Sequence, residues 1–193
     1  MPADLSAHFP LRKSRVHEAC GPGAPGFAGA VCAQGSGPVL WVVEAWRHEQ
    51  VNPVAFGAFA DPARLLVARA GDQREALAVA EVALGDGAVP LVIVELGAPL
   101  SLKAGRRLQL AAKSGGTTGL CLIPEGMGSN AAETRWHCTP VFDASDSTRM
   151  RWELIKNKSG TLGVWDVRWD AAARRLDVVP PAGKRPGSQG APG

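Results

Sequence analysis

Residues 20–28 read CGPGAPGFA. Gly21 and Gly26 have four residues between them, the spacing of a phosphate-binding loop. Such a loop needs backbone N–H groups converging on phosphate, a lysine after the second glycine, and a Ser or Thr for magnesium. Here Phe27 stands at the lysine position and Ala28 at the hydroxyl position. Pro22 and Pro25 remove two N–H donors. Two glycines are a weak signal in a chain with 23 of them. Their surroundings decide the reading. RVHEAC before them has the pattern of a short strand, and APGFAGAVCAQ after them that of a small-residue helix. We read a turn of phosphate-loop type that has given up its nucleotide, and we expect no cofactor and no catalytic residue.

Outward from the loop, strands and helices alternate. PVLWVVEA is a continuous apolar run, so it predicts a buried strand. NPVAFGAFA predicts a short helix with Asn52 as N-cap and Pro53 at its first position. RLLVARA predicts a strand. GDQREALAVAEVALGDG is the clearest helix: Asp72 caps it, Glu75 completes a capping box, and Ala76, Val79, Ala80 and Ala83 form its apolar stripe. Gly85 is expected to stop it. AVPLVIVEL and TTGLCLI are strands on either side of LKAGRRLQLAAKSG, a helix capped by Ser101. Solidly apolar strands alternating with helices predict a parallel sheet covered on both faces.

After Ile123 the pattern changes. PEGMGSNAAE is a loop, and TRWHCTPV alternates with period two. After a polar stretch, RWELIKNKSGTLGVWDVRWD predicts two strands around an NKSG turn, and residues 171–174 turn the chain into RRLDVVP. The fold class is therefore α/β, a mainly parallel sheet flanked by helices with antiparallel strands at the C-terminal end. We expect one domain over residues 15–180, between a loose arm (1–14) and a disordered tail (181–193) in which Lys184 and Arg185 carry charge.

Composition supports a globular protein: 46% hydrophobic and 20% charged residues. The net charge of +3 is too mild to demand a polyanionic partner. Cys20, Cys32, Cys121 and Cys138 form no CxxC pair and no zinc pattern, so they read as buried free thiols in a reducing cytosol, with no metal site. No run reaches the roughly 20 apolar residues of a membrane span, and the basic N-terminus has no apolar stretch behind it, so no signal peptide is expected.

Several residues invite a functional reading. Glu44 and Glu95 close apolar strands, at the end of a sheet where ligands bind, and serve either to hold a cation or to pair on the rim. Lys103, Arg106, Arg107 and Lys113 share one helical sector with Leu110. Lys156 and Lys158 lie in the KNKSG stretch, with Arg135, Arg149 and Arg151 nearby. Six tryptophans accompany no tyrosine, and Trp136, Trp152, Trp165 and Trp169 fall in the antiparallel part. Sheet packing, a protein interface and base stacking are the readings open to them. His17, His48, His137 and Cys138 are scattered and form no catalytic constellation.

The order of features resembles the core of the RecA-like recombinases. RRLQLAAKSGGTTGLCLI, AAETRWHCTP and RWELIKNKSGTLGVWDVRWD sharpen this to a resemblance to the ImuA family, over about residues 15–180. These are RecA-like accessory proteins of bacterial damage-induced mutagenesis. The resemblance implies a non-catalytic adaptor in the cytoplasm, at the nucleoid when acting on DNA. It supports error-prone translesion synthesis with an ImuB-like inactive Y-family polymerase, an error-prone C-family polymerase and RecA. Gly21 and Gly26 match the phosphate-loop glycines; Phe27 and Ala28 depart from the pattern; Glu95 stands where relatives have a strand-ending aspartate. Pro124–Glu133 falls at a recombinase DNA-binding loop but carries no Lys or Arg. The contact residues expected for a partner or weakly held single-stranded DNA are Arg106, Arg107, Lys113, Arg135, Trp136, Trp152, Lys156 and Lys158. A single-strand DNA-binding or recombinase-modulating protein is the alternative; a residual ATPase is a third class.

Overall fold

In the computed structural model, which describes residues 4–47, 49 and 51–181, the chain forms a nine-stranded sheet. His48, Lys184 and Arg185 lie outside the described residues. In chain order the elements are β1 (Val16–Cys20), α1 (Ala24–Cys32), β2 (Val39–Glu44), α2 (Pro53–Phe56), β3 (Leu65–Ala70), α3 (Gln73–Asp86), β4 (Leu91–Glu95), α4 (Leu102–Gly115), β5 (Thr118–Leu122), β6 (Thr134–Pro140), β7 (Arg149–Asn157), β8 (Gly163–Asp170) and β9 (Arg175–Val179). Short 3₁₀ turns cover Leu5–Ala7 and Pro62–Arg64. The spatial order is β3-β2-β4-β5-β1-β6-β7-β8-β9. The first six are parallel and the last three join antiparallel. The mixed α/β class with an antiparallel C-terminal end is as the pattern predicts.

Local signals set the helix starts. The Asn52 side chain accepts from Val54 N–H at 2.9 Å, Asp72 from Glu75 N–H at 2.8 Å, and Ser101 from Ala104 N–H at 3.2 Å. The Glu75 carboxylate reaches back to Gly71 N–H, one residue earlier than a standard capping box. α3 does not stop at Gly85. It ends at Gly87, which takes the left-handed cap with φ +81°.

Two apolar cores cover the sheet. On one face α1, α2 and the N-terminal segment pack over Trp41, Ile93, Leu120, Trp136 and Trp152. On the other, α3 and α4 pack over Val42, Val92, Val94 and Cys121. Two expectations change here. Residues 4–14 are not a loose arm, because Leu5, Phe9 and Leu11 are buried in the first core. The strands are not all covered on both faces: β3 is an edge, with Leu66 and Val67 about half exposed. In β7, Met150, Trp152 and Leu154 are buried while the alternating Arg149, Arg151 and Glu153 are not, the pattern of an antiparallel strand covered on one side.

His17 ties three of these parts together. Its Nε2 is 2.9 Å from the Arg12 carbonyl, which can only accept, so Nε2 carries the proton. Its Nδ1 then accepts from the Thr134 hydroxyl at 2.6 Å, and that oxygen accepts from the Trp136 indole N–H at 2.9 Å. This chain of bonds is complete only with a neutral imidazole. Burial pushes the pKa of His17 down from 6.5 to about 4. Between those values the unfolded chain binds a proton that the folded one does not. Stability is therefore complete above pH 6.5 and falls as pH drops toward 4. Chemical denaturation midpoints should decline between pH 7 and 5, and His17→Gln, though less stable at pH 7, should show a flatter decline. An equal decline in both would contradict this role.

Candidate functional site

The carboxyl ends of β1, β2, β4 and β5 form the rim where an α/β sheet binds ligands. Connections leave this rim in both directions. β1 and β2 lead through α1 and α2 on one face, and β3 and β4 lead through α3 and α4 on the other. Switch points therefore fall between β2 and β4 and between β5 and β1. The glycine loop sits beside the second of these.

That loop is closed. Only Gly21, Pro22 and Gly23 separate β1 from α1, so residues 24–26 are already helical and cannot encircle a phosphate. Gly23 N–H donates to the Cys138 carbonyl of β6 at 2.8 Å, Ala24 N–H to Gly21, and Phe27 N–H to Gly23. With prolines at 22 and 25, the donors a phosphate would need are absent or occupied. The glycines answer to β6: a Cβ on Gly21, whose φ is +86°, would lie 2.5 Å from the Cys138 oxygen, and one on Gly23 2.9 Å from the Cys138 carbonyl carbon. A Cβ on Gly26 would lie 2.8 Å from the Met150 sulfur.

Beside the loop lies a crevice of about 370 Å³ lined by Gly21, Pro22, Arg47, Glu49, Glu95 and Glu125, among others. Three carboxylates against one guanidinium repel a polyphosphate. The rim acids are also engaged structurally. Glu44 accepts from Trp46 Nε1 at 2.7 Å and Gly97 N–H at 3.0 Å. Glu95 accepts from Trp41 Nε1 at 2.7 Å and lies 3.3 Å from Arg47. The residues present do not fit a nucleotide.

Phe27 does not reach the crevice at all. Its ring is fully buried, with centroids 4.7 Å from Trp152, 5.3 Å from Trp136 and 5.9 Å from Phe9. Ala28 is equally buried. Trp136 and Trp152 are 0% exposed, so their expected contact role is corrected to core packing, and Trp165 and Trp169 are buried too. Arg135 is likewise withdrawn from the surface: its Nε donates to the fully buried Glu18 at 2.7 Å and its Nη2 to the Ser129 carbonyl at 2.9 Å. Arg107 pairs with Glu81 at 2.7 Å. Arg106 and Lys113 remain exposed on α4, away from β6 and β7.

Lys156 donates to the Ala132 carbonyl, and Lys158 lies 3.8 Å from Glu133. Two partners of that acid were missed by reading the sequence. Arg12 stands 2.9 Å and Arg15 3.6 Å from Glu133. Arg15 follows directly on the segment read as a loose arm, to which Arg12 belongs. The visible signal was its own apolar spacing, Leu5, Phe9 and Leu11, which anchors it to the sheet.

Restoring the phosphate-loop residues should therefore fail. Phe27→Lys with Ala28→Thr would place an ammonium among aromatic rings, with loss of at least the roughly 3 kcal/mol of a large core truncation. A lowered thermal midpoint and no calorimetric heat with ATP and magnesium are expected. A stable variant that binds ATP would mean the loop opens.

No family model matches the chain. It is similar to Protein ImuA of Caulobacter vibrioides, from strain NA1000 / CB15N and from strain ATCC 19089 / CIP 103742 / CB 15. Each is 32% identical over 155 residues, which make up 78% of this chain. The chain spans 58% of the length of these relatives. On a likeness of this identity and coverage, the chain belongs to the ImuA family.

Proposed function

We propose that this chain is a RecA-like scaffold without nucleotide chemistry that serves damage-induced mutagenesis by binding other proteins. In this reading it supports error-prone translesion synthesis. It assembles or localises a mutasome with an ImuB-like inactive Y-family polymerase, an error-prone C-family polymerase and RecA, in the cytoplasm and at the nucleoid. Family membership supplies the theme. One observation carries the non-catalytic half: the glycine loop is closed against β6 beside an acidic crevice. RecA-like ancestry is supported by position, with the loop between a central parallel strand and α1, and Glu44 and Glu95 ending β2 and β4 on the same rim.

A scaffold acts through its surface. The buried tryptophans do not supply that surface, but the β3 edge does. It carries unpaired backbone groups on one side, with Leu66 49% and Val67 50% exposed. Such an edge is a template for a partner's strand. Co-purification with the ImuB-like partner tests the reading with the full chain, a chain ending at Pro180, and Leu66→Lys/Val67→Lys. Retention of the full chain and about tenfold weaker retention of the edge variant are expected. Loss on truncation instead assigns the contact to the tail, and no association of the full chain overturns the adaptor reading.

A further inference from the structure

The charge of this protein is unevenly placed. At the amino ends of β1 and β6, Arg12, Arg15 and Lys158 surround one carboxylate, Glu133, at 2.9, 3.6 and 3.8 Å. Below them Arg135 pairs with Glu18, and Lys156 donates to the Ala132 carbonyl. With Lys13, the neighbour of Arg12 in sequence, six cationic side chains stand against two carboxylates here, a surplus of four in a chain whose formal net charge is +3. The remainder of the sequence carries a formal charge of −1. This is a local basic corner in a nearly neutral protein.

Local structure holds the corner together. Ser14 takes a left-handed backbone, φ +57°. Beyond it, Arg15 folds its Nη1 back onto the Ser14 carbonyl at 2.8 Å. Arg12 and Arg15 thereby meet the same acid although they flank a turn. The β7–β8 turn joins from the other side, where Lys158 N–H donates to the Glu133 carbonyl at 3.0 Å. Glu133 itself is almost covered, while the Arg12 and Lys158 side chains are 67% and 46% exposed. Lys13 is exposed between them in sequence order. One buried carboxylate thus fixes the bases of several cationic heads whose outward sides are free for a second anion.

We propose that this corner binds the phosphodiester backbone of single-stranded nucleic acid, independently of sequence. Two exposed heads held on one carboxylate, Arg12 and Lys158, with exposed Lys13 next to Arg12 in sequence and Arg15 about three-quarters covered, offer their charge to a short run of phosphates. The hydroxyls of Ser14 and Ser159 lie in the same segments and suit phosphate oxygens. The tryptophans of β6–β8 are buried, so they supply no stacking platform for base readout. The site lies at the opposite end of β1 from the glycine crevice, six residue steps or about 20 Å away. It is independent of the adaptor reading and of the β3 edge.

Fluorescence anisotropy with labelled oligo-dT and a mixed-sequence single strand tests the proposal on the full chain. Contact with about three phosphates gives a log–log salt slope of roughly −2, or about fifteenfold weaker binding between 50 and 200 mM salt. Arg12→Gln/Lys13→Gln/Lys158→Gln should abolish most binding and flatten the slope, while Arg106→Gln/Lys113→Gln on α4 leaves it unchanged. Glu133→Gln should strengthen binding severalfold, because the cations lose their internal competitor. A merely structural cluster would weaken instead. Circular dichroism melts establish that each variant is folded. Absence of binding at 50 mM salt, an unchanged slope in the triple variant, weaker binding by folded Glu133→Gln, or equal displacement by polyglutamate would overturn the proposal, the last in favour of an acidic protein partner.

Discussion

The hydrogen bond from Gly23 N–H to the Cys138 carbonyl fixes the architecture of this molecule. It joins the turn after β1 to the end of β6, the strand on which the antiparallel extension is built. The close approach that makes it possible requires glycine at 21 and 23, where a side chain would meet the β6 backbone. It also starts α1 early enough to aim Phe27 inward, onto Trp136 and Trp152. Loop closure, aromatic core and sheet extension are one structural unit. A loop built this way gains its stability from the protein's own strand, where a phosphate loop would draw on a bound anion.

Much of this was legible in the sequence. Each parallel strand is an apolar run bounded by turn residues, and the caps at Asn52, Asp72 and Ser101 announce the helices behind them. Phe27 and Ala28 openly contradict a working nucleotide site. Other features depend on contacts between distant segments and leave no local trace. Gly85 looks like a helix stop, yet the left-handed residue is Gly87. Arg135 and Lys156 look like a surface patch, because nothing local says that Glu18 and the Ala132 carbonyl lie beneath them. Trp136 and Trp152 alternate as strand residues do, but which face is covered depends on Phe9 and Phe27 from elsewhere in the chain.

The N-terminal segment shows the same limit most clearly. Its polar and basic residues read as an arm, while its three apolar side chains seal one face of the sheet. Placing that segment brings Arg12 and Arg15 to Glu133 and His17 to the Arg12 carbonyl. Charge, titration and packing at the amino ends of the strands then become linked properties. The carboxyl ends carry the opposite character, with acids held by indoles, amides and Arg47. The fold thus separates a closed, acidic rim from an open, basic corner.

Hydrogen exchange at the Gly23 amide tests the central claim most directly, because that N–H either bonds to β6 or is free to meet a phosphate. With no nucleotide present it should exchange as slowly as the β1 core amides, and ATP with magnesium should leave its rate unchanged. Fast exchange that slows when ATP and magnesium are added would show a working phosphate loop and contradict the account.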